Sequence, residues 1–175
     1  MLLALRRSWI AATLLCGALA AGCGGQPAPA PAQSGPAEAT FLAGIHASDI
    51  AKVMRIRGLA CGEPRQDQGF SHWTCEVKTP LLAYTADYYG RVPGRLEYIR
   101  LVVSQTGAPK IEQITPVVMD IAGLRYAGVD RAAVKTWVEQ HLTSGGVTTI
   151  GPVKFKLSGD VSRLVFEVKA PGSEW

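Results

Sequence analysis

The chain has 175 residues, of which 47% are hydrophobic, and it carries 18 Lys and Arg side chains against 14 Asp and Glu. Without residues 1–22, which contain Arg6 and Arg7 and no acidic side chain, the net charge falls from +4 to +2. So small a charge does not indicate nucleic-acid binding, and residues 41–175 have the length of one domain with one core.

The first 22 residues have the pattern of a secretory signal peptide. Arg6 and Arg7 precede an apolar run over residues 8–22, and no charged side chain follows until Glu38. A short basic segment before about 7–15 apolar residues is typical of such a leader, whereas a membrane-spanning helix needs about 20. We therefore expect residues 1–22 to be removed during export, and the paired arginines leave both Sec and twin-arginine export open.

A single cysteine follows the small residues that end this leader. Positions 20–22 hold Ala, Ala and Gly, Cys23 comes next, and Leu19 precedes them. This segment resembles the lipobox of bacterial lipoproteins, although the usual leucine position, three residues before the cysteine, holds alanine here. The resemblance covers residues 1–23 only. It implies that Cys23 is acylated, becomes the mature N-terminus and anchors the protein to the cell membrane or the outer membrane. The alternative is an ordinary cleaved leader, which leaves Cys23 as a free thiol.

Residues 23–40 are predicted to form a flexible linker between this anchor and the globular domain. The segment after Cys23 holds four prolines, has Glu38 as its one charged residue and shows no apolar periodicity. Such a sequence cannot bury enough surface to offset the entropy of ordering. In polyproline geometry, at ~3.1 Å per residue, it reaches at most roughly 50 Å. We therefore expect it to hold residues 41–175 close to the membrane on the extracytoplasmic side.

Two cysteines remain for the domain. Cys16 lies in the leader and Cys23 at the lipobox, which leaves Cys61 and Cys75. An exported chain meets an oxidising compartment, so we predict a Cys61–Cys75 disulfide, and closing a loop of this size stabilises by ~3 kcal/mol. The alternative is a metal site that adds His72, but no CxxC pair is present. We expect no metal and no cofactor.

The first elements of the domain are a helix and a strand. A helix is predicted over residues 49–57, with Ser48 as its N-cap and Gly58 at the left-handed position after its end. Residues 61–69 are polar and are predicted to form a loop. Residues 71–78 alternate apolar and polar side chains, which is typical of a half-buried strand. Its inward side comprises Trp73, Cys75 and Val77, and its solvent side His72, Thr74, Glu76 and Lys78.

A hairpin follows, and its register can be predicted from side-chain chemistry. If the numbers of paired residues sum to 187, apolar, oppositely charged and aromatic side chains pair across the strands, as in Tyr88–Ile99, Asp87–Arg100 and Tyr89–Tyr98. Such pairs stabilise a sheet. A sum of 186 places Asp87 beside Ile99 and is rejected.

The second half of the domain predicts helices and then another hairpin. Thr115 is expected to cap a helix that begins at Pro116, and Asp130 to cap a helix over residues 131–142. Residues 153–168 then form a hairpin in which paired numbers sum to 321, giving the pairs Val153–Val168, Phe155–Phe166, Leu157–Leu164 and Lys154–Glu167. The predicted fold is therefore α+β, an antiparallel sheet of about five or six strands with two or three helices packed on one face.

The domain carries no motif of a known catalytic chemistry. The chain has three histidines, and no HExxH, GxSxG, P-loop or Rossmann pattern occurs. We therefore expect a non-enzymatic binding or adaptor module for an envelope protein or a small-molecule ligand. The alternative is a small envelope hydrolase or an inhibitor of one. A pocket that brings two of four side chains within hydrogen-bond reach would support catalysis: His46, His72, Asp87 and Asp120.

The outer face of the first hairpin is the candidate binding surface. Tyrosine and arginine are enriched in binding hot spots, and the predicted register gathers five of them, namely Tyr89, Arg91, Arg95, Tyr98 and Arg100. The alternative is an amphipathic strand pair with ordinary cross-strand contacts.

Overall fold

The computed structural model describes residues 41–108 and 110–172. The expected leader, Cys23 and the linker lie outside the described residues. Within the described part, three helices and eight strands follow one another as α1 (Ala47–Ile56), β1 (Ala60–Cys61), β2 (Arg65–Asp67), β3 (Phe70–Lys78), β4 (Leu82–Gly90), β5 (Tyr98–Gln105), α2 (Ile111–Ala122), α3 (Arg131–His141), β6 (Gly146–Ile150), β7 (Val153–Gly159) and β8 (Arg163–Lys169). None of these helices has the length and apolar character needed to cross a bilayer.

The strands form one antiparallel sheet in the spatial order β1-β3-β4-β5-β8-β7-β6, and β2 also pairs with β3. The three helices cover one face of this sheet, so the predicted α+β class is confirmed. The predicted count of five or six strands is too low. Strand β2 lies inside the predicted polar loop of residues 61–69, β1 overlaps the start of that loop, and no strand was predicted over the residues of β6. All three residues of β2 are exposed, so no apolar alternation marks it in the sequence.

Two three-stranded units meet in the middle of the sheet. We call β3–β4–β5 the first meander and β6–β7–β8 the second meander; each follows a helix, and the two join where β5 pairs with β8. The core lies between the helices and the inward side chains of both meanders. Its largest fully buried members include Tyr88, Phe155, Phe166, Ile99 and Leu101.

Helix α1 begins earlier than predicted. Its N-cap is His46 rather than Ser48, and the His46 backbone N–H donates to Asp49 Oδ2 at 2.9 Å. The reason lies outside the helix: His46 forms an isolated β-bridge with Arg95, and the Ala47 N–H donates to a carbonyl in the same loop. These bonds hold the chain extended up to residue 46, and the helix starts directly after it.

The end of α1 leads directly to the disulfide. Gly58 adopts a φ of 81°, and the Leu59 N–H donates to the Met54 carbonyl at 3.0 Å, as in a Schellman motif. The chain therefore turns back along β3 as the short strand β1. Cys61 stands opposite Cys75 in this pairing, and their sulfurs are 2.07 Å apart, which is a disulfide bond.

Helix α2 also begins earlier than predicted, at Ile111, so Pro116 lies inside it and Thr115 is not its cap. The proline lacks the N–H that would donate to the carbonyl four residues earlier. The Thr115 hydroxyl instead donates to the neighbouring Ile111 carbonyl at 2.9 Å. Burial outweighs the local preference, since Ile114 in the first turns is fully buried. The predicted cap of α3 is confirmed, because Asp130 Oδ1 accepts from two backbone N–H groups of the first turn.

One predicted register is confirmed and one is wrong. Strands β4 and β5 pair with numbers that sum to 187, as the pairs Tyr88–Ile99 and Tyr89–Tyr98 require. Strands β7 and β8 pair at a sum of 323 instead of 321, so Phe155 faces Val168 and not Phe166. The turn decides this: Asp160 Oδ1 accepts hydrogen bonds from the Ser162 N–H, the Ser162 hydroxyl and the Arg163 N–H. The backbones of Asp160 and Arg163 also bond to each other, so the two-residue turn is centred on residues 161 and 162, whereas a sum of 321 centres it on residues 160 and 161.

Candidate functional site

Three rings stand side by side on the outer face of the first meander, which the helices do not cover. His72 on β3, Tyr89 on β4 and Tyr98 on β5 are directly opposite one another in the sheet register. The His72 and Tyr89 ring centroids are 4.3 Å apart with planes 12° from parallel, and those of Tyr89 and Tyr98 are 5.7 Å apart at 19°. We call these three residues the ring row. Its rings contact each other through their faces, so they present their edges to a ligand.

Hydrogen bonds fix the first ring of this row. His72 Nε2 lies 2.9 Å from Asp87 Oδ1, and the Thr74 hydroxyl donates to the same carboxylate oxygen at 2.9 Å. The side chains of His72 and Asp87 are only 22% and 19% exposed. His72 therefore lies on the predicted solvent side of β3, but Tyr89 and Asp87 cover most of it.

The last ring of the row is held in the same way. The Tyr98 hydroxyl donates to Glu167 Oε1, and Glu167 Oε2 lies 3.5 Å from Lys156 Nζ. Lys169 Nζ lies 5.2 Å from the Tyr98 ring centroid, in cation–π geometry. The ring row is therefore rigid at both ends and needs little ordering when a partner binds.

Both tyrosine hydroxyls of the row stay protonated at neutral pH. Burial raises the pKa of Tyr98 above its usual range, and the hydrogen bond to Glu167 adds to this. Burial also raises the pKa of Tyr89, with a further contribution from Asp87. These hydroxyls therefore offer neutral hydrogen bonds and not acid–base chemistry.

Arg100 lies beside the ring row, between Asp87 on β4 and Glu167 on β8 in the register. The cross-strand pair that the sequence predicts is present in the register, but His72 and Thr74 take the hydrogen bonds of the Asp87 carboxylate. Arg100 is half-buried, and its guanidinium makes no ion pair with any residue in 41–108 or 110–172. It remains available to an anionic or hydrogen-bonding partner.

The other two predicted arginines are separated from the ring row. Arg91 is largely exposed; its guanidinium lies 4.9 Å from the Phe70 ring centroid and 3.5 Å from Glu97 Oε2. Arg95 lies 4.5 Å from the Phe41 ring centroid, next to the segment that precedes α1.

A close backbone approach separates Arg95 from the tyrosines. A Cβ on Gly90 would come within 1.7 Å of the Arg95 carbonyl oxygen, so glycine allows the end of the hairpin to close tightly there. Arg95 then forms a β-bridge with His46, the residue that precedes α1. The structure therefore brings together Tyr89, Tyr98 and Arg100 from the predicted set, with Arg91 beyond the end of the row.

A cavity of about 660 Å³ adjoins the ring row at the edge of the sheet. It forms because β1 and β2 pair separately with β3, so the residues between them loop outward, and the disulfide holds one of its sides. Its lining comprises Ala60, Cys61, Gly62, Glu63, Pro64, Arg65, His72, Thr74 and Glu76. His72 belongs to both the cavity and the ring row, and Arg65 stands directly opposite it on β2.

Sequence reasoning missed the role of His72, Thr74 and Arg65 in this surface. The alternation in β3 places His72 on the outer side, but nothing in β3 alone shows which strand it joins. Extending the pairing argument to β3 and β4 would have found it, because Trp73 and Tyr88 form a further aromatic pair with stacked rings 5.7 Å apart. That register sets His72 directly beside Tyr89.

The contact between His72 and Asp87 meets the distance that the sequence set for catalysis, but the lining of the adjoining cavity includes His72 and not Asp87. The trio with Thr74 also lacks the geometry that activates a nucleophile. A carboxylate can only accept, so His72 Nε2 carries a proton toward Asp87, and the same nitrogen lies 3.1 Å from the Thr74 hydroxyl. It therefore has no lone pair with which to take the Thr74 proton.

The other named acid–base candidates lie apart from one another. Asp120 Oδ2 is 2.5 Å from Arg57 Nε, which makes an ion pair, and His46 caps α1. His141 Nδ1 lies 2.8 Å from the Trp137 carbonyl oxygen at the end of α3. In the part of the chain that the structure describes, no three His, Cys, Asp or Glu side chains gather as a metal site. The disulfide also leaves neither cysteine as a thiolate, so they cannot bind a metal ion together with His72.

Comparison with protein-family models, with curated proteins and with solved structures finds no match to this chain.

Proposed function

We propose that this chain is a membrane-anchored cell-envelope lipoprotein whose domain is a non-enzymatic binding module. The support for the anchor is the arrangement of leader, Cys23 and proline-rich linker in the sequence. The support for an extracytoplasmic location is the Cys61–Cys75 disulfide, since such bonds persist in oxidising compartments. The anchor keeps the binding domain within the reach of its linker from the membrane.

The observation that carries the binding role is the ring row with Arg100 beside it. Tyr89 stacks between His72 and Tyr98, and Asp87 and Glu167 hold the two ends by hydrogen bonds. Tyrosine and arginine are over-represented in hot spots, and a surface that is already ordered loses little side-chain entropy on binding. If this face served cross-strand packing alone, we would expect Arg100 to form an ion pair with a neighbouring strand, and it forms none within the described residues.

The chemistry of the surface favours a polar partner over a flat apolar one. Because the rings present their edges, they cannot stack on a planar ligand, whereas the Tyr89 hydroxyl and the Arg100 guanidinium can donate hydrogen bonds. The binding partner is therefore an envelope protein or a small-molecule ligand that offers carboxylate, carbonyl or hydroxyl groups at this face.

The anchor is tested by mass spectrometry of the mature protein, with and without reductant. We expect a chain that begins at Cys23 with an acyl mass added, and a deficit of two hydrogens that disappears on reduction of the Cys61–Cys75 bond. A mature chain without acyl groups would contradict the lipoprotein proposal and leave the binding proposal standing. The matched variant is Cys23→Ser. When it is expressed at the same level as the parent and its leader has been removed, it should no longer be found in the membrane fraction.

The binding surface is tested by affinity capture from detergent-solubilised envelope. The parent should recover one defined partner, and Tyr89→Ala and Arg100→Gln should each weaken its capture by about 1 kcal/mol or more. The matched control is Arg163→Gln, because Arg163 lies on the same sheet face at the far end of β8. Equal capture by all variants would contradict the proposed surface. The absence of both a partner and a small-molecule thermal shift would contradict the binding role.

A hydrolase remains the second candidate because of the contact between His72 and Asp87. If the imidazole acts as a general base through Nδ1, hydrolysis of p-nitrophenyl acetate by the parent should exceed the buffer rate. The variant His72→Gln should then lose about 10²–10⁴-fold in rate. Under the binding proposal the parent and the variant hydrolyse this ester at the rate of buffer alone.

A further inference from the structure

A second cavity, of about 410 Å³, lies on the opposite side of the molecule from the ring row. It opens between α1, the segment before α1, the residues that follow α2 and the first residue of α3; we call it the helix-side cavity. Apolar side chains form much of its lining, namely Ile45, Val53, Ile56 and Leu124. Ile56 is 74% exposed, which is unusual for an isoleucine at the rim of a cavity whose other apolar residues are buried or half-buried.

Three cations surround this apolar lining, and they are Lys52, Arg125 and Arg131. None of them makes an ion pair within the residues that the structure describes. Arg57 at the end of α1, in contrast, is paired with Asp120. The one acid in the lining is Asp49, whose carboxylate accepts the His46 N–H. The cavity therefore has an excess of unpaired positive charge over an apolar floor.

Arg131 is the first residue of α3, and it lines the cavity. The N-cap carboxylate of Asp130 already accepts two N–H groups of this helix end, and it makes no ion pair with Arg131. An anion bound in the cavity would therefore interact with the Arg131 guanidinium and not with the helix end.

The wall of the cavity is fixed by the backbone. Gly44 has a φ of 84°, and a Cβ at this position would come within 2.6 Å of the Arg125 carbonyl oxygen. The Ala127 N–H donates to the Ala43 carbonyl at 2.7 Å, which ties the same two segments together. The cavity is therefore formed before a ligand arrives, and binding does not require the two segments to assemble around it.

We infer that the helix-side cavity binds a small anionic amphiphile of the fatty-acid class. The carboxylate lies among Lys52, Arg125 and Arg131, and the alkyl chain covers Ile56, Val53 and Leu124. The cavity is concave, so a small molecule that inserts into it fits better than the flat surface of a bilayer does. The excess of cations favours an acid rather than a neutral or cationic lipid. This inference does not depend on the ring row or on the proposed function.

The test titrates decanoate, below its micelle concentration, into the mature chain, residues 23–175 with Cys23→Ser, which has neither leader nor acyl groups and needs no detergent. Calorimetry should show saturable binding at one site, and the Ile56 methyl resonance should shift. Decyltrimethylammonium, with the same tail and the opposite charge, and acetate, with no tail, should bind at least about tenfold more weakly.

Variants separate the two parts of the site. Arg125→Gln together with Arg131→Gln should weaken decanoate binding by about tenfold or more, and Ile56→Ser should weaken it several-fold. The matched controls are Arg55→Gln, a cation of α1 outside the lining, and Leu81→Ser, which removes an apolar side chain that is 68% exposed elsewhere. Both controls, and Tyr89→Ala on the ring row, should leave decanoate binding unchanged.

Several results would overturn the inference. Equal binding of decanoate and decyltrimethylammonium would indicate apolar adsorption without charge selection. Equal binding by the double arginine variant and the parent would remove the assigned headgroup site. Vesicles containing phosphatidylglycerol that bind through the same arginines, while decanoate does not, would indicate a membrane-facing surface. An acidic apolar peptide that binds there, while decanoate does not, would indicate a protein partner.

Discussion

The first and second meanders have the same topology and join at the β5–β8 pairing, yet they place different chemistry on the outer face of the sheet. The first presents the ring row and Arg100. At the same level the second presents lysines, with Lys154 directly opposite Lys169 and Lys156 opposite Glu167. Two like charges across a strand pair are destabilising. One scaffold therefore carries two surfaces of different chemistry, and the side chains rather than the sheet determine what each surface can bind.

The two meanders also differ in what stabilises them. The first meander is tied at its edge by the Cys61–Cys75 disulfide, and small Ala86 lies at the centre of its inward face. The second has no disulfide and buries two large rings, Phe155 and Phe166, whose centroids are 6.4 Å apart. Both units bury large side chains, since Tyr88 of the first meander is also almost fully buried, and the first unit adds a covalent bond.

The largest effect is expected at the junction that both meanders share. Phe166 is fully buried and stands opposite Leu101 of the first meander and Leu157 of the second. Phe166→Ala should lower the free energy of unfolding by about 3–5 kcal/mol, because it removes a buried ring and leaves a cavity. Urea unfolding checks this. Val165→Ala, on the outer face of the same strand, should lower the free energy of unfolding by at most about 1 kcal/mol. An equal decrease in both variants would contradict the position of Phe166 in the core.

The next effect distinguishes the meanders, because only the first depends on the disulfide. Replacing both cysteines, Cys61→Ala with Cys75→Ala, should lower the free energy of unfolding by about 2–5 kcal/mol. Adding reductant to the parent should lower its urea midpoint toward that of the double variant, and the double variant itself should not respond to reductant. A parent that is insensitive to reductant would show that the bond does not stabilise the domain.

A smaller effect is expected at the boundary between the ring row and the second meander. Tyr98→Phe removes the hydroxyl that donates to Glu167, and should lower the free energy of unfolding by about 1 kcal/mol. Since the pKa of Tyr98 is raised in the folded protein, the parent also loses stability as the pH rises above 10.0, the ordinary tyrosine value. In thermal unfolding, the Tm of the phenylalanine variant should fall less than that of the parent over the same pH range.

The smallest effect is expected in the turn of the second meander. Hydrogen bonds from Ser162 and Arg163 lower the pKa of Asp160 below its ordinary value of 3.8. Its ionised form therefore stabilises the fold above pH 3.8, and this contribution is lost as the pH falls below that value. The Tm of Asp160→Asn should lie slightly below that of the parent at pH 7, and the difference should vanish at low pH. A difference that grows toward low pH would contradict this role of the turn.

The contrast between the two hairpins also explains what the sequence can predict. In the first hairpin a sum of 187 pairs Asp87 with Arg100 and Tyr89 with Tyr98, whereas a sum of 186 places Asp87 beside Ile99, so side-chain chemistry decides between them. In the second, sums of 321 and 323 have the same parity, and both place a lysine opposite Glu167. Apolar patterning cannot separate them, and the hydrogen bonds of Asp160 make the choice. Residue patterns therefore predict well which side of a strand faces the core. They predict the register of a strand pair only when the turn between the strands is also known.

The candidate surface was predictable in part for similar reasons. Tyr89 and Tyr98 follow from the register of one hairpin, which is local in the chain. The place of His72 in the ring row depends on which strand adjoins β4, and the departure of Arg95 depends on the close approach at Gly90. The helix-side cavity joins residues from three separate segments, so no local pattern indicates it.

The most direct test of the binding role places a photo-crosslinking residue on each meander in living cells. The substitutions are Tyr89→p-benzoylphenylalanine, in the ring row, and Val147→p-benzoylphenylalanine, at a position 59% exposed on the outer face of β6. We predict one defined adduct from position 89, and none from position 147. Equal adducts from both positions, or an adduct from position 147 alone, would contradict the assignment of binding to the first meander.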